Sequence, residues 1–511
     1  MLFLSRNRRL SRIAVLTTAS DLSVRILAFL RDAQWLTRGR LFGYATILNA
    51  ASAAMIVWML MGHGITDPAG RPLGTDFVSF WTVSAMLHNG HERAIYVPEA
   101  LAAWEQSVVP SENAAFYAWQ YPPIGLLLVY PLALFSYLWS LAIWLGLGVV
   151  LYLTVLWRIL PQPLTLWAGL AFPGVLLTIE HGQNAFFTTA LLGWALLLLP
   201  RRPVAAGILI GLLSFKPQLG VLVPVALIAG SQWRTVIAAA LTGLGLVATT
   251  FILFGGGIWS DFLASLPLSR EMLDNGLVPY YKMQSIFAAV RLAGGPLILA
   301  YSAQALVGVV GVATVAWAWR RPTDPDMKNS ALLLATPLAT PFILDYDLML
   351  VAPAIAWLAC KGVRHRLLPW EGTTLTVLSL VLLVSRTIGE LTHLVLAPLA
   401  VGAGLAAIVG RIRAESLKAH THPISPQTTV GWFRISSLTR NADDLTEEIY
   451  QLLGPRQPAE VAVNDNAVET VVDERQQVAK QLSEQFHGNP RETGSGSKTH
   501  QARIGQADRR G

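Results

Sequence analysis

The sequence predicts an all-α polytopic membrane protein, and its composition, its apolar runs and its charge distribution support this fold class. Of the 511 residues, 53% are hydrophobic and only 14% are charged, whereas soluble domains carry about 25% charged residues. Long apolar runs recur along the chain. The net charge of +7 lies before residue 411, because residues 411–511 hold thirteen basic and thirteen acidic side chains. An ordinary soluble enzyme, a nucleic-acid-binding protein and a disulfide scaffold are therefore excluded.

Residues 1–40 are interpreted as a basic cytoplasmic N-terminal segment. They are rich in arginine and have no apolar core of the kind found in a secretory signal. Leu22, Ile26, Leu30 and Ala33 fall on one helical face. This spacing predicts an amphipathic helix on the bilayer surface, with a solvated leader as the alternative.

Residues 41–410 are predicted to form the membrane domain, with about 12 transmembrane helices. Runs that reach or approach the length of a span are 41–62, 139–159, 164–180, 184–200, 235–256, 296–319, 371–387 and 391–410, and shorter runs are 123–138, 203–215, 218–230, 329–343 and 347–361. If every basic cluster between the runs is cytoplasmic, either 123–138 or 164–180 must be re-entrant. The second of these is broken by Pro173 and Gly174.

This topology places most polar groups of the membrane domain on the non-cytoplasmic face. That face receives a large first loop, 63–122, a second loop, 257–295, and the turns around 180–183, 216–218 and 345–347. Ionisable groups at membrane depth usually face a cavity or a substrate path. We therefore expect the functional site on that face. Residues 411–511 are predicted to be a cytoplasmic, largely disordered tail, in which 432–453 have the spacing of one amphipathic helix.

Three residues on the outer face carry competing interpretations. Asp76 is either a general base toward a sugar hydroxyl or the N-cap of a helix over 77–88. His181 either contacts a phosphate or shuttles a proton, or it is an ordinary turn histidine. Lys216 either binds an anion such as a lipid phosphate or extends its side chain to the membrane–water interface.

No metal or other cofactor is predicted. Asp345-Tyr346-Asp347 matches the short D-x-D pattern of metal-dependent sugar transferases, but Asp324-Pro325-Asp326 matches it equally well. Two carboxylates alone form a weak metal site, so capping or hydrogen bonding is the favoured role for both pairs. Polar and aromatic residues of the loop 257–295, Gln284 among them, suit carbohydrate contacts.

An ordered set of motifs along residues 40–410 resembles glycosyltransferase family 87. The motifs are G-T-D-F-V-S-F-W at 74–81, Y-P-P-I-G at 121–125, E-H-G-Q-N at 180–184, F-K-P-Q-L-G at 215–220, Q-S-I-F at 284–287 and T-P-L-A-T-P-F-I-L-D-Y-D at 336–347. The resemblance implies a GT-C-like helical bundle in a bacterial inner membrane, with a periplasmic active site. It also implies transfer of a hexose, commonly mannose, from a polyprenyl-phosphate donor to a glycolipid or glycan hydroxyl.

The resemblance also implies roles for individual residues. Asp76 would be the general base, and Gln183 and Lys216, with His181, would bind the donor and its phosphate. Apart from the resemblance, we predict that the substrate is lined by Glu180, Tyr121, Gln284, Asp345, Tyr346 and Asp347. The chain lacks the Ser-Trp pair that precedes a histidine in the family, and Tyr346 or Asp347 occupies that region.

Two other functions compatible with the sequence are a transporter or flippase for a lipid-linked or polar substrate and an inactive scaffold. Broken helices favour a transporter, whereas the confinement of polar groups to one face favours an enzyme. A scaffold would act through the cytoplasmic tail.

Overall fold

A computed structural model describes residues 24–109 and 116–421, with side chains as far as residue 417. These residues are helical and contain no strand, apart from isolated bridges between Thr66 and Pro72 and between Met283 and Leu344. The predicted all-α fold is confirmed for this part of the chain.

Most of the α-helices coincide with the predicted apolar runs, and the others lie before residue 41 or in the predicted loops 63–122 and 257–295. They are α1 (24–32), α2 (Arg38–Leu60), α3 (Phe77–His88), α4 (Pro98–Val108), α5 (Ile124–Val129), α6 (Tyr137–Ile159), α7 (Pro163–Leu170), α8 (Pro173–His181), α9 (Ala185–Leu198), α10 (Pro203–Leu212), α11 (Val223–Ala229), α12 (Trp233–Phe254), α13 (Gly257–Asp274), α14 (Ile286–Leu292), α15 (Leu297–Arg320), α16 (Pro325–Ala339), α17 (Val351–His365), α18 (Glu371–Thr392) and α19 (Ala397–Thr421). Short 3₁₀ helices lie at Glu92–Tyr96, Leu132–Leu134, Leu213–Phe215, Pro217–Gly220, Tyr280–Lys282 and Asp345–Leu350.

Among the described residues, seven helical segments are long and apolar enough to cross a membrane. They confirm a multi-pass membrane protein. The pair α7 and α8 forms an eighth candidate, bent by 51° where Pro173 begins α8. This bend fits either a broken span or the re-entrant segment predicted at 164–180. The count of about 12 spans stays a prediction, because it depends on the shorter apolar helices.

The core of the membrane domain surrounds α16 and α17. Nearly every side chain of α16 from Met327 to Leu338 is buried, and Trp357 of α17 is among the largest fully buried side chains. By contrast, α2 and α12 expose most of their apolar side chains. Such helices need an apolar environment, which here is the bilayer.

A second core fixes the first outer loop. Almost all of α3 is buried, and Phe80 packs edge-on against Trp119, Tyr121 and Trp144 at ring separations of 6.0, 5.6 and 5.8 Å. Because α3 is held so firmly, the residue that precedes it, Asp76, has a defined position.

The two ends of the membrane domain differ in part from expectation. Helix α1 is present, and its end docks on α18 through hydrogen bonds from Trp370 and Thr373 to backbone oxygens of Arg31 and Leu30. Helix α19 continues to Thr421, beyond the boundary predicted at 410. Residues 1–23 and 422–511, including the helix predicted at 432–453, lie outside the described residues.

Candidate active site

Asp76 occupies the N-cap position of α3, but its side chain does not cap the helix. The carboxylate Oδ2 instead accepts a hydrogen bond of 2.8 Å from Gln183 Nε2. Asp76 is only half buried, and its Oδ1 accepts no hydrogen bond from a described residue. The capping interpretation therefore fails, and one carboxylate oxygen stays open.

Close contact between two loops brings Asp76 to Gln183. The Asp76 amide donates to the His181 carbonyl at 3.0 Å. Gly182 has a φ of +62°, and a Cβ there would lie 2.5 Å from the Phe77 Cβ. Only glycine both adopts this conformation at low cost and allows this approach. The glycine of the E-H-G-Q-N motif is thus required by the geometry of the site.

A chain of hydrogen bonds leads from Lys216 to Asp76, with every donor pointing the same way. Lys216 Nζ donates to Asn184 Oδ1 at 3.1 Å, and Asn184 Nδ2 donates to the Tyr121 hydroxyl at 2.8 Å. The Tyr121 hydroxyl donates to Gln183 Oε1 at 3.4 Å, the longest link. Gln183 Nε2 then donates to Asp76. Since hydrogen bonds in a buried chain polarise one another, this order aligns the dipoles from the cation to the carboxylate.

Lys216 forms a buried ion pair with Asp347. Its ammonium lies 2.5 Å from Asp347 Oδ1, and the two side chains are only 4% and 3% exposed. The interpretation that Lys216 extends to the interface is therefore wrong. Asp347 Oδ2 also accepts the Leu344 amide at 3.2 Å, which is a capping interaction. Buried charges require such additional partners, because desolvation is costly.

Tyr346 lies between Lys216 and His181. Its buried ring is 5.4 Å from the Lys216 ammonium and 5.6 Å from the His181 ring. His181 ends α8, and its Nδ1 is hydrogen-bonded at 3.0 Å to the Leu177 carbonyl. The other ring nitrogen has no partner among the described residues. His181 thus combines a local backbone contact with one free nitrogen beside Tyr346.

A second polar group lies around Asp345. Its Oδ2 is 3.7 Å from a guanidinium nitrogen of Arg386, and its Oδ1 accepts the Tyr346 amide. Next to Arg386, Ser385 donates to Gln284 Oε1 at 2.6 Å, and Gln284 is buried. The two predicted residues Asp345 and Gln284 are thus linked through α18.

Lys282 belongs to the same group. Burial and the nearby Arg386 cation lower the pKa of Lys282, whereas Asp76, Asp345 and Glu180 act in the opposite direction. Glu180 itself is partly exposed, 3.9 Å from Arg71, and its side chain makes no hydrogen bond to the residues of the hydrogen-bond chain that the structure describes. It lies at the edge of the site.

Sequence reasoning did not assign a role to Asn184 or Arg386. Asn184 follows the candidate Gln183 directly, but nothing in its position indicates that it links Lys216 to Tyr121. Arg386 stands inside an apolar run, and a charged residue there is itself a functional signal.

No cluster of metal-ligand residues is present in the described part of the chain. No three His, Cys, Asp or Glu side chains there are placed to hold an ion. Asp324, of the second D-x-D match, caps α16 by accepting the Asp326 amide at 2.8 Å and pairs with Lys361. This is the capping role favoured for that pair.

Comparison with known proteins gives one match. Residues 119–341 match the model of glycosyltransferase family 87. No curated protein and no solved structure matches significantly. The matched segment contains Tyr121, Gln183, Asn184 and Lys216 and ends six residues before Asp347. The match confirms the family resemblance.

Proposed function

We propose that this chain, whose residues 119–341 match the model of glycosyltransferase family 87, transfers a hexose, most simply mannose, from a polyprenyl-phosphate carrier. The acceptor is a hydroxyl group of a glycolipid or glycan, and the reaction takes place on the periplasmic face of a bacterial inner membrane. The coarser statement, a membrane glycosyltransferase, follows from the family and the apolar helices.

The open Oδ1 of Asp76 is the observation that carries the mechanism. In this proposal it accepts the proton of the acceptor hydroxyl while that oxygen attacks C1 of the sugar and the bond from C1 to the donor phosphate breaks. Gln183 holds the other carboxylate oxygen and so fixes the direction of the base. A single displacement of this kind inverts the anomeric centre.

The leaving phosphate requires cations that are not already neutralised. Lys216 pairs closely with Asp347, so in this proposal it orients the hydrogen-bond chain and contributes to phosphate binding only at longer range. Arg386 is partly exposed and contacts Asp345 loosely, and Lys282 lies near it. We assign these two side chains to the phosphate, where fixed positive charge stabilises the charge that develops on the leaving group.

The side of the membrane supports a lipid-linked donor. The basic clusters at 201–202, 320–321 and 361–366 are assigned to the cytoplasm, and the candidate site lies at the other ends of the helices concerned. Nucleotide sugars are cytoplasmic, so an outward site needs a sugar carried across on a lipid.

The test is transfer from radiolabelled polyprenyl-phosphate sugars to extracted membrane lipids by the purified protein. General-base assistance contributes about 10²–10⁴-fold, so Asp76→Asn should lose that much activity and keep its thermal unfolding temperature. Glu99→Gln, an exposed carboxylate in the same loop, is the matched control and should retain activity. Full activity in Asp76→Asn would overturn the assignment.

The same assay separates an enzyme from a transporter. An enzyme releases polyprenyl phosphate only when acceptor is present. A flippase moves the donor between leaflets of a vesicle and leaves the sugar attached, and that result would refute the proposed transfer reaction.

A further inference from the structure

An apolar cavity of about 270 Å³ opens between α2, α6, α7, α17 and α18. Aliphatic and aromatic side chains form most of its wall, among them Leu41, Leu48, Leu156, Phe172, Ile355 and Leu380. Its volume is close to the lower end of typical ligand pockets, about 300–1,000 Å³. None of the residues assigned to sugar transfer lines it.

Three hydroxyl groups in the cavity wall are already hydrogen-bonded to backbone carbonyls. The Tyr152 hydroxyl donates to the Gly169 carbonyl, Thr376 to Gly372 and Ser379 to Leu375, at 3.1, 3.1 and 2.7 Å. The interior therefore presents an apolar surface, which favours a hydrocarbon chain over a polar solute.

Three other residues in the cavity lining carry polar or charged groups that are not satisfied in this way. The Trp35 indole nitrogen is buried without a hydrogen-bond partner among the described residues. Arg38 also lines the cavity, is exposed, and forms no ion pair within the described part of the chain. Gln162, at the start of α7, completes this polar rim. A buried unpaired N–H group is costly and calls for an acceptor.

We propose that the cavity binds an anionic phospholipid from the leaflet next to the N-terminal end of α2. One acyl chain fills the apolar interior, and the phosphate accepts hydrogen bonds from the Trp35 Nε1–H and the Arg38 guanidinium. Arg40 adds a second positive charge beside Trp35, since its guanidinium donates to the Trp35 carbonyl at 3.2 Å. The positive charge of Arg38 and Arg40 is complementary to the negative charge of a lipid phosphate. Basic residues at a membrane surface attract anionic lipids by about 1 kcal/mol each.

The site is independent of the proposed transfer reaction. Its rim lies near Val363 of α17, whereas Asp347 precedes the opposite end of that helix. A lipid that bridges α2, α7 and α17 binds only the folded protein, so it raises the unfolding temperature by mass action.

The experiment measures lipid retained by the full-length protein in mild detergent, by extraction and mass spectrometry. We expect an anionic phospholipid to co-purify, and Arg38→Gln to lower the retained amount about fivefold. Arg234→Gln, an exposed arginine at the start of α12, is the matched control and should retain it. Ala359→Phe, which fills the cavity, should displace the lipid, and Ala168→Phe is a second filling variant.

A second measurement keeps the proposal testable if a filling variant fails to fold. Added phosphatidylglycerol should raise the unfolding temperature of the unmodified protein more than that of Arg38→Gln, and phosphatidylcholine should act on both equally. Equal retention in Arg38→Gln and Arg234→Gln would overturn the proposal. So would increased lipid binding after deletion of residues 2–23, because the occupant of the cavity would then be the N-terminal segment of the chain itself.

Discussion

The described residues contain a buried ionic cluster near each end of the central helices, and the two clusters are built differently. The outer cluster joins Lys216 to Asp347, with 4% and 3% of the side chains exposed. The opposite cluster joins Arg411 to Glu371, with 4% and 2% exposed. Burial and charge alone therefore do not distinguish a functional cluster from a structural one.

The difference lies in the hydrogen bonds left open. In the Glu371–Arg411 cluster, Glu371 accepts from Arg411 and from the Leu368 amide, and Arg411 also donates to the Arg366 carbonyl. Every strong partner is used, and the cluster ties α18 to α19. Beside the outer cluster, Asp76 at the far end of the hydrogen-bond chain keeps one free oxygen, and Arg386 in the neighbouring group around Asp345 remains partly exposed. In the proposed mechanism, these open hydrogen-bonding groups are the ones that contact the substrate.

The largest expected effect is on stability, at Glu371. Glu371→Ala removes the closest carboxylate from the buried Arg411 and leaves only Glu415, 3.8 Å away, so it should lower the free energy of unfolding by about 3–5 kcal/mol. Chemical unfolding in micelles measures the loss, with Glu390→Ala on the exposed surface of the same helix as control. If Glu371→Ala unfolds like the control, the cluster is not a structural clamp.

Arg386→Gln tests the polar group around Asp345, next to the outer cluster, where we expect the effect on activity and not on stability. We expect a loss of about 10²–10³-fold in transfer rate, since a preorganised group that stabilises developing charge is removed, with little change in unfolding temperature. Arg386→Lys should recover part of the rate. Arg270→Gln, at an exposed position of the outer loop, is the control and should remain fully active. If Arg386→Gln lowers the unfolding temperature but leaves the transfer rate unchanged, the assignment of Arg386 to the phosphate is contradicted.

Tyr121→Phe tests whether the oriented hydrogen-bond chain matters. The variant loses the donor to Gln183 and the acceptor of Asn184, and a typical hydrogen bond contributes about 1 kcal/mol, so we expect a several-fold loss of transfer rate. Tyr117→Phe is the matched control, because the Tyr117 hydroxyl makes no hydrogen bond within the described residues. Equal transfer rates in Tyr121→Phe and Tyr117→Phe would show that the hydrogen-bond chain from Lys216 to Asp76 is dispensable.

The smallest expected effect depends on pH and lies in the first outer loop. Burial raises the pKa of Glu105 to about 8, from an ordinary value of 4.5. Between these values the folded state holds a proton that the unfolded state has lost, so stability falls as pH rises toward 8 and then levels off.

Glu105→Gln removes this titration. The difference in unfolding temperature between Glu105→Gln and the unmodified protein should shift in favour of the variant by about 2–4 °C from pH 5 to pH 8. Thermal unfolding at the two pH values gives the answer. A constant difference between the two proteins would show that Glu105 does not titrate in this window.

Local sequence was sufficient for the helices, because an apolar run in a membrane protein has few alternatives to a helix. Residues 41–62, 139–159 and 296–319 were predicted as spans and form α2, α6 and α15. The turn at Gly182 followed from its motif. Helix α19 extends past the predicted boundary at 410 to Thr421, and Arg411, at the edge of the apolar run, is buried by pairing with Glu371.

The sequence by itself determined the fold class, the resemblance to a family and the list of polar residues that the membrane domain must accommodate. Only the tertiary structure decided how those residues pair. Lys216 could have extended to the interface, and Asp76 could have capped its own helix. These two outcomes depend on contacts between residues 131 and 107 positions apart in the chain. The energy of a buried charge depends on which partner reaches it, and no local sequence pattern specifies a partner so far away in the chain.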